Sequence, residues 1–370
     1  MGHAQWFFLC HRATRACILP DALIPGALSD TAAAAARRVL VVSDAWRPQV
    51  NGVARTLAQL AKELVLLGHV VEVIGPDRFR TLPCPTYPEI PLALLPGHKL
   101  GRLIEGFLPE SLHIATEGPL GWAARAWAMR RGLSFTTAFH TKFPEYLQAR
   151  IRLPPRLAYA WLRRFHNAGR GVMVATESLG RDLAARGFQH VRAWTRGVDL
   201  DLFRPNPGAT WDLPRPIFLY VGRVAVEKNI RAFLALDLPG SKIVVGDGPQ
   251  RAELMRAYPA VHFPGARFGA ALAEAYAGAD VFVFPSRTDT FGLVLLEALA
   301  CGTPVAAYPV TGPRDVVGTA VGRIGALDDD LGRAALAALA TDRAACRRHA
   351  EGFSWRACAE LFLSHLVPLR

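Results

Sequence analysis

The chain has 370 residues, about half of them apolar, with an ordinary density of charge and a net charge of +12. That is enough chain for two domains with full cores, and the composition excludes an intrinsically disordered polypeptide. No apolar run is long enough to span a bilayer. The charge is uneven: Lys and Arg exceed Asp and Glu by ten between residues 38 and 205, but by only one from 206 onward. A basic first half predicts contact with an anionic surface or substrate, the alternative being an Arg-rich solvated exterior.

Residues 1–37 show no period and include the Ala32–Ala36 run, which predicts a flexible leader outside the fold. Within it Trp6–Cys10 is too short for a secretion signal and lacks a cationic start. Val39–Ser43 predicts a short buried strand. A polar turn, an amphipathic helix from about Val53 to Leu67 and a strand at Val70–Ile74 should follow. Further strands are expected near 112–115, 134–139, 172–175 and 191–194, with helical segments between them. Such alternation predicts a parallel sheet covered on both faces.

Asp201–Gly208 holds Pro205, Pro207 and Gly208 and no periodicity, which marks a linker. A second series of strands begins at Ile217–Val221 and continues at Lys242–Val245, Val261–Phe263, Val281–Phe284 and Val305–Ala307. The expectation is an α/β protein of two doubly wound, Rossmann-like domains, 38–205 and 206–353, facing a cleft. Residues 354–370 should supply an amphipathic helix that packs back across their junction. Ligands in such sheets bind beyond the carboxyl ends of the strands. The six cysteines, Cys10, Cys17, Cys84, Cys301, Cys346 and Cys358, show neither metal spacing nor a disulfide framework. Reduced thiols and a cytosolic setting are expected.

The segment Pro285–Ala300 carries the strongest chemical signal. Glu297 stands among Leu295, Leu296, Ala298 and Leu299, and Asp289 lies eight positions upstream in the turn before the helix. Burying an ionised Glu is costly unless a partner meets it. A ligand rich in hydroxyls, held at the mouth of the turn, would satisfy both acids. Arg223 and Lys228 share the loop after the strand that ends at Val221, as a diphosphate clamp requires. One offers planar bidentate contacts and the other a mobile point charge. The plainer reading is an exposed loop with an internal Glu227–Lys228 pair. Gly246-Asp247-Gly248-Pro249 is a further turn after a strand. In the first half, Gln49–Val53 leads into a helix whose free amides suit a phosphate, and Gly52 would let that backbone approach closely. His140, after the strand that ends at Phe139, is either a core or capping histidine or a cleft residue; Glu145 is open in the same way.

Together these segments resemble the large retaining glycosyltransferase family with the GT-B fold, family four. It contains bacterial lipid mannosyl-, glucosyl- and sulfoquinovosyltransferases and the sucrose and trehalose synthases. The resemblance covers roughly Arg38 to Leu366. Its most specific element is an acid, seven residues, a Glu and then Ala-x-x-x-Gly-x-Pro-Val, which here is Asp289, Glu297 and Ala298–Val305. Gly222-Arg223 with Glu227-Lys228, the Gly246–Pro249 turn, and Gly197-Val198-Asp199 with Phe203 also match.

The resemblance implies a nucleotide-sugar donor, no cofactor and no metal. Glu297 would bind the ribose hydroxyls, while Gly222, Arg223 and Lys228 would hold the diphosphate. Asp289, Thr290, Phe291, Gly292 and Leu293 would contact the sugar and phosphate. Gly52 would face the diphosphate from the first domain, His140 the transferred sugar near its anomeric carbon, and Arg196 would add a cation. The first acid of the family's pair is usually Glu, and here Asp289 is one methylene shorter. The family's Gly-Gly-Val turn is here Asn51-Gly52-Val53.

Ala149–Phe165 mixes Arg150, Arg152, Arg156, Arg163 and Arg164 with Tyr159, Trp161 and Phe165. It reads either as a helix docking on an anionic membrane or as a core helix with an Arg-rich outer face. With the basic first half, the expected reaction moves a hexose from GDP-mannose to a lipid or lipid-linked acceptor at the inner face of the cell membrane. UDP-glucose and UDP-glucuronate are the alternative donors, and a soluble sugar or polysaccharide precursor is the alternative acceptor. A sugar-nucleotide epimerase and a catalytically silent binding module are the other classes. Scattered Arg residues without a recognition motif argue against nucleic acid.

Overall fold

A computed structural model describes residues 36–370 except 50, 85–86, 146–147 and 149–153, together with the side chains outside 87–89. The expected leader therefore lies almost wholly outside the described residues. The first half runs β1 (Arg38–Val42), α1 (Gly52–Leu66), β2 (Val70–Ile74), β3 (Thr81–Cys84), β4 (Tyr87–Ala93), α2 (Gly97–Phe107), β5 (Ser111–Ile114), α3 (Pro119–Arg130), β6 (Thr136–Phe139), α4 (Pro155–His166), β7 (Val172–Val174), α5 (Glu177–Ala185) and β8 (Val191–Ala193). The second runs β9 (Ile217–Val221), α6 (Ile230–Leu234), β10 (Ser241–Val245), α7 (Arg251–Ala257), β11 (His262–Gly265), α8 (Gly269–Ala277), β12 (Val281–Phe284), α9 (Leu293–Ala300), β13 (Val305–Ala307), α10 (Pro313–Val317), β14 (Gly325–Leu327), α11 (Leu331–Ala338), α12 (Arg343–Ala350) and α13 (Trp355–His365).

Two six-stranded sheets result, ordered β2-β1-β5-β6-β7-β8 and β11-β10-β9-β12-β13-β14, and every pairing within them is parallel. Both are doubly wound, so the fold is GT-B in its two-domain form. The strands read as unbroken apolar runs because both faces are covered. In β1, Val39 and Val41 pack with Leu57, Leu60 and Leu64 of α1, while Leu40 and Val42 pack with Leu100 and Ile104 of α2 and Trp127 of α3. In β9, Phe218 and Tyr220 face one layer and Ile217, Leu219 and Val221 the other.

The β3–β4 hairpin is antiparallel, stands apart from both sheets, and was not anticipated. Pro83, Pro88 and Pro91 interrupt its sequence pattern and disguise it as loop. Strand β14 also escapes prediction, being three residues long. A Cβ at Gly325 would lie 2.2 Å from the Val305 carbonyl oxygen, so only glycine fits beside β13.

The last helix belongs to the first domain's packing. Cys358, Ala359, Phe362 and Leu366 join Val39, Val41, Leu57 and Trp194 in one cluster. The Trp194 indole N–H donates to the Cys358 carbonyl at 3.1 Å. Phe362 is fully buried there. Removing its ring leaves a cavity that two elements distant in sequence cannot close, and such truncations cost about 3–5 kcal/mol. Phe362→Ala is expected to lower unfolding stability by that amount, measured by urea denaturation.

Candidate active site at the cleft

In each sheet the strand order reverses once, between β1 and β5 in the first and between β9 and β12 in the second. Crevices open at such points beyond the carboxyl ends of the strands. The loops that leave there are 43–51 and 115–118 in the first domain, and 222–229 and 285–292 in the second. Two contacts join the domains beside these loops: Arg55, on the helix after the first, bonds Glu297 on α9, and Thr290 donates to the main-chain carbonyl of His140, which follows β6.

Glu297 lies on α9 with its side chain 4% exposed. Its Oε1 accepts from Arg55 Nη2 at 2.5 Å, and its Oε2 accepts from the Tyr276 hydroxyl at 3.0 Å. Burial, followed by the Glu297 charge, raises Tyr276 well above its ordinary value, so the phenol keeps its proton and donates. The carboxylate is thus held at the cleft by a phenol from its own domain and a cation from the other.

The 222–229 and 285–292 loops are stitched together. Lys228 Nζ donates to Asp289 Oδ1 at 2.5 Å, Asn229 Nδ2 to the Pro285 carbonyl at 3.1 Å, and Thr288 Oγ1 to the Glu227 carbonyl at 3.2 Å. Asp289 Oδ2 is buried without a partner, so this carboxylate has an acceptor to spare. Arg223 is half-buried on the same loop, and its carbonyl accepts from the Tyr220 hydroxyl at 2.9 Å. Gly246 and Gly248 have φ near +150°, and a Cβ on them would strike the carbonyls of Gly222 and Val224. The Gly-Asp-Gly turn therefore shapes the neighbouring Arg223 loop. Gly222 itself has φ +149°, with the Tyr220 hydroxyl 2.9 Å from a built Cβ.

Thr290 donates through Oγ1 to the His140 carbonyl at 2.6 Å. Phe291 buries its ring in the core, so it can offer a ligand only backbone, and Leu293 packs partly against that core. Gly292, at φ +86°, caps the start of α9. Across the cleft Gly52 opens α1, its preceding Asn51 accepting from Ala54 N at 2.9 Å. A Cβ built on Gly52 meets nothing within 4 Å, so packing of the chain does not explain the glycine.

His140 is fixed from behind. Its Nδ1 accepts from Arg196 Nη2 at 3.2 Å, which leaves the proton on Nε2, and Nε2 is buried without a partner. Burial, then the Arg196 charge, holds the imidazole well below its ordinary range, so it is neutral at physiological pH. Arg196 is buried, stacked over Trp194 and bonded to the carbonyls of Trp194 and Thr195. Sequence reasoning placed this arginine among donor ligands; in the structure its guanidinium lies behind His140, bonded to two carbonyls.

Arg150 and Arg152 lie outside the described residues. On α4, Arg163 donates to the Arg186 carbonyl at the end of α5, at 3.0 Å. Trp161 is 46% exposed and stacks on Trp122 with ring centres 5.1 Å apart, and Arg164 is exposed. Among the described residues no three His, Cys, Asp or Glu side chains converge as metal ligands would, and no helix is long and apolar enough to cross a membrane.

Comparison with known proteins decides the family of the chain. The model described as Glycosyltransferase Family 4 matches residues 50–202, and that described as Glycosyl transferases group 1 matches residues 215–341. The chain belongs to glycosyltransferase family 4. It is 34% identical over 307 residues to the GDP-mannose-dependent alpha-mannosyltransferase of Mycobacterium tuberculosis, covering 76% of this chain and 81% of that one. It is 27% identical to the GDP-mannose-dependent alpha-(1-6)-phosphatidylinositol dimannoside mannosyltransferase of the same species, over 89% of this chain and 96% of that one. The sucrose-phosphate synthase of Thermosynechococcus elongatus superposes with a TM-score of 0.70 at 22% identity, covering 89% of this chain and 98% of that one. This family 4 member is a hexosyltransferase, and the epimerase and silent-module readings fall away.

Sequence reasoning missed Arg55 and Tyr276, the two groups that hold Glu297. Tyr276 reads as one more core aromatic in an Ala-rich helix. Arg55 did leave a trace, because a cation in the first turn of a helix opposes the macrodipole and calls for a nearby anion. If Arg196 works through His140, Arg196→Ala will lower kcat about 10–100-fold and leave donor affinity within twofold, whereas Lys228→Ala will weaken donor binding. Steady-state kinetics with nucleotide-binding calorimetry checks the split.

Proposed function

We propose that this enzyme transfers mannose from GDP-mannose, with retention of configuration and without a metal, to a lipid or lipid-linked acceptor at an anionic membrane surface. The observation that carries the donor half is Glu297, a nearly buried carboxylate beside the second sheet's switch point, one oxygen held by the buried Tyr276 hydroxyl and the other by the half-exposed, displaceable Arg55. Ribose hydroxyls would donate to it. Arg223 and Lys228 would take the diphosphate, with the start of α9 at Gly292 directed to the same charge. Lys228 is paired with Asp289 in the free enzyme, so a phosphate would claim the cation while a sugar hydroxyl claims the acid. His140 would offer its Nε2 proton as a neutral donor beside the anomeric carbon.

As the bond from the anomeric carbon to the diphosphate breaks, the acceptor oxygen would bond to that carbon on the same face. The acceptor's proton would pass to the departing phosphate oxygen. No protein nucleophile enters this route. The two mycobacterial relatives described above are GDP-mannose-dependent by name, which supports the mannosyl donor. A transfer assay over GDP-mannose, UDP-glucose and UDP-glucuronate tests it, and turnover only with a UDP-sugar would overturn it. Hydrogen bonds to a charged group are worth about 1.5–3 kcal/mol each, so loss of two in Glu297→Ala should reduce kcat/KM at least ~100-fold in folded protein.

The lipid half is supported by one relative's name, which specifies a phosphatidylinositol dimannoside, and by the outer face of α4. Leu157 and Trp161 stand one turn apart and are 55% and 46% exposed, flanked by Arg156 and Arg164. Apolar side chains between cations suit a bilayer rich in anionic lipid. Leu157→Ser, Trp161→Ser and Arg164→Ser combined should cut sedimentation with phosphatidylinositol-containing vesicles at least ~10-fold, since each basic residue contributes about 1 kcal/mol there. Arg163→Ser should instead lower the unfolding temperature, because its guanidinium holds the end of α5. Unchanged vesicle binding by the triple variant would remove this face from the reading.

A further inference from the structure

The Arg55–Glu297 pair joins residues 242 apart in sequence, from α1 of one domain to α9 of the other. Arg55 lies in the first turn of α1, where its backbone N–H bonds the Asn51 carbonyl at 3.0 Å. Its side chain is 46% exposed, whereas the Glu297 carboxylate is 4% exposed. The acid is fixed and the cation is the movable member. Anything that lies on Glu297 from the cleft side must therefore enter where the guanidinium now sits.

We propose that Arg55 is a donor-binding residue with two stations: the Glu297 carboxylate in the free enzyme and the diphosphate of the nucleotide sugar in the loaded one. The inference rests on the reading of Glu297 as the ribose ligand. A ribose brings hydroxyl donors to Glu297, so the carboxylate no longer needs a cation. The displaced guanidinium is anchored three residues from Gly52, where a built Cβ would meet nothing within 4 Å. The anion it meets next is the diphosphate attached to that same ribose. A first-turn cation is unfavourable at a helix start unless an anion is near, and each station supplies one. Lys228 stands in the same relation to Asp289 on the other side of the site. A nucleotide sugar has hydroxyls at both ends and anions in the middle. It would part both ion pairs at once, with hydroxyls replacing the cations at the acids and phosphate oxygens replacing the acids at the cations.

Two ligands separate the stations. Wild type, Arg55→Ala and Arg55→Lys are titrated with GDP and with guanosine, or with UDP and uridine if wild type prefers that pair. Because Arg55 projects from the helix surface, both variants should unfold at temperatures close to wild type. Arg55→Ala is expected to bind the nucleoside at least as tightly as wild type, since the competitor at Glu297 is gone. It should bind the diphosphate at least tenfold more weakly, with Arg55→Lys recovering most of the loss. Diphosphate affinity within twofold of wild type would overturn the proposal by leaving Arg55 as an interdomain strut. So would an equal weakening of both ligands, which would mean that the arginine only shapes the site. Glu297→Ala, titrated alongside, keeps the two readings apart. If it binds the nucleoside as wild type does, the ribose assignment fails, while the diphosphate comparison still decides whether Arg55 reaches the phosphates.

Discussion

An ionised carboxylate among Leu295, Leu296 and Leu299 is tolerated only if donors surround it, and the cleft is arranged around that requirement. Tyr276 donates from α8, two strand–helix steps removed from the Arg223 loop, and Arg55 donates from the other domain. The same acid therefore ties the two domains to each other across the cleft. The pair contributes modestly to stability, because Arg55 is half in water and its attraction is screened. Its larger consequence is geometric, since the two sheets must present their carboxyl ends to each other for it to form.

The glycines of the second domain show how that geometry is kept. Gly246 and Gly248 bring the turn after β10 close against the carbonyls of the Arg223 loop, at separations that no side chain permits. Gly312, at φ +91°, lets the turn after β13 pass 2.9 Å from the Phe291 carbonyl at its would-be Cβ. These turns support one another before they could support a ligand. A binding loop held in that way loses little entropy when the ligand arrives.

Much of this was legible in the sequence, for a physical reason. Parallel strands covered on both faces must be apolar at consecutive positions, so Val39–Val42 and Val281–Phe284 announced themselves. Their loops held the polar residues that such sheets leave at their carboxyl ends. The Asp289–Glu297 spacing was legible because a turn and about one helical turn fix it locally. Contacts between distant segments were not. Nothing local to Arg55 or Tyr276 says that they converge on one carboxylate, and nothing local to Arg196 says that its guanidinium would be spent on His140 and two carbonyls. The hairpin β3–β4 was hidden by prolines, which strand patterns count as breaks.

The position of α13 bears on how the polypeptide becomes an enzyme. The face of the first sheet that carries Val39, Val41 and Trp194 is closed by residues 358–366. That surface stays uncovered until residues 358–366 have been synthesised. The first domain to be synthesised is thus the last to be sealed, and its maturation waits on the second. Proteolytic loss of α13 would uncover that face of the first sheet while leaving the core of the second domain in place.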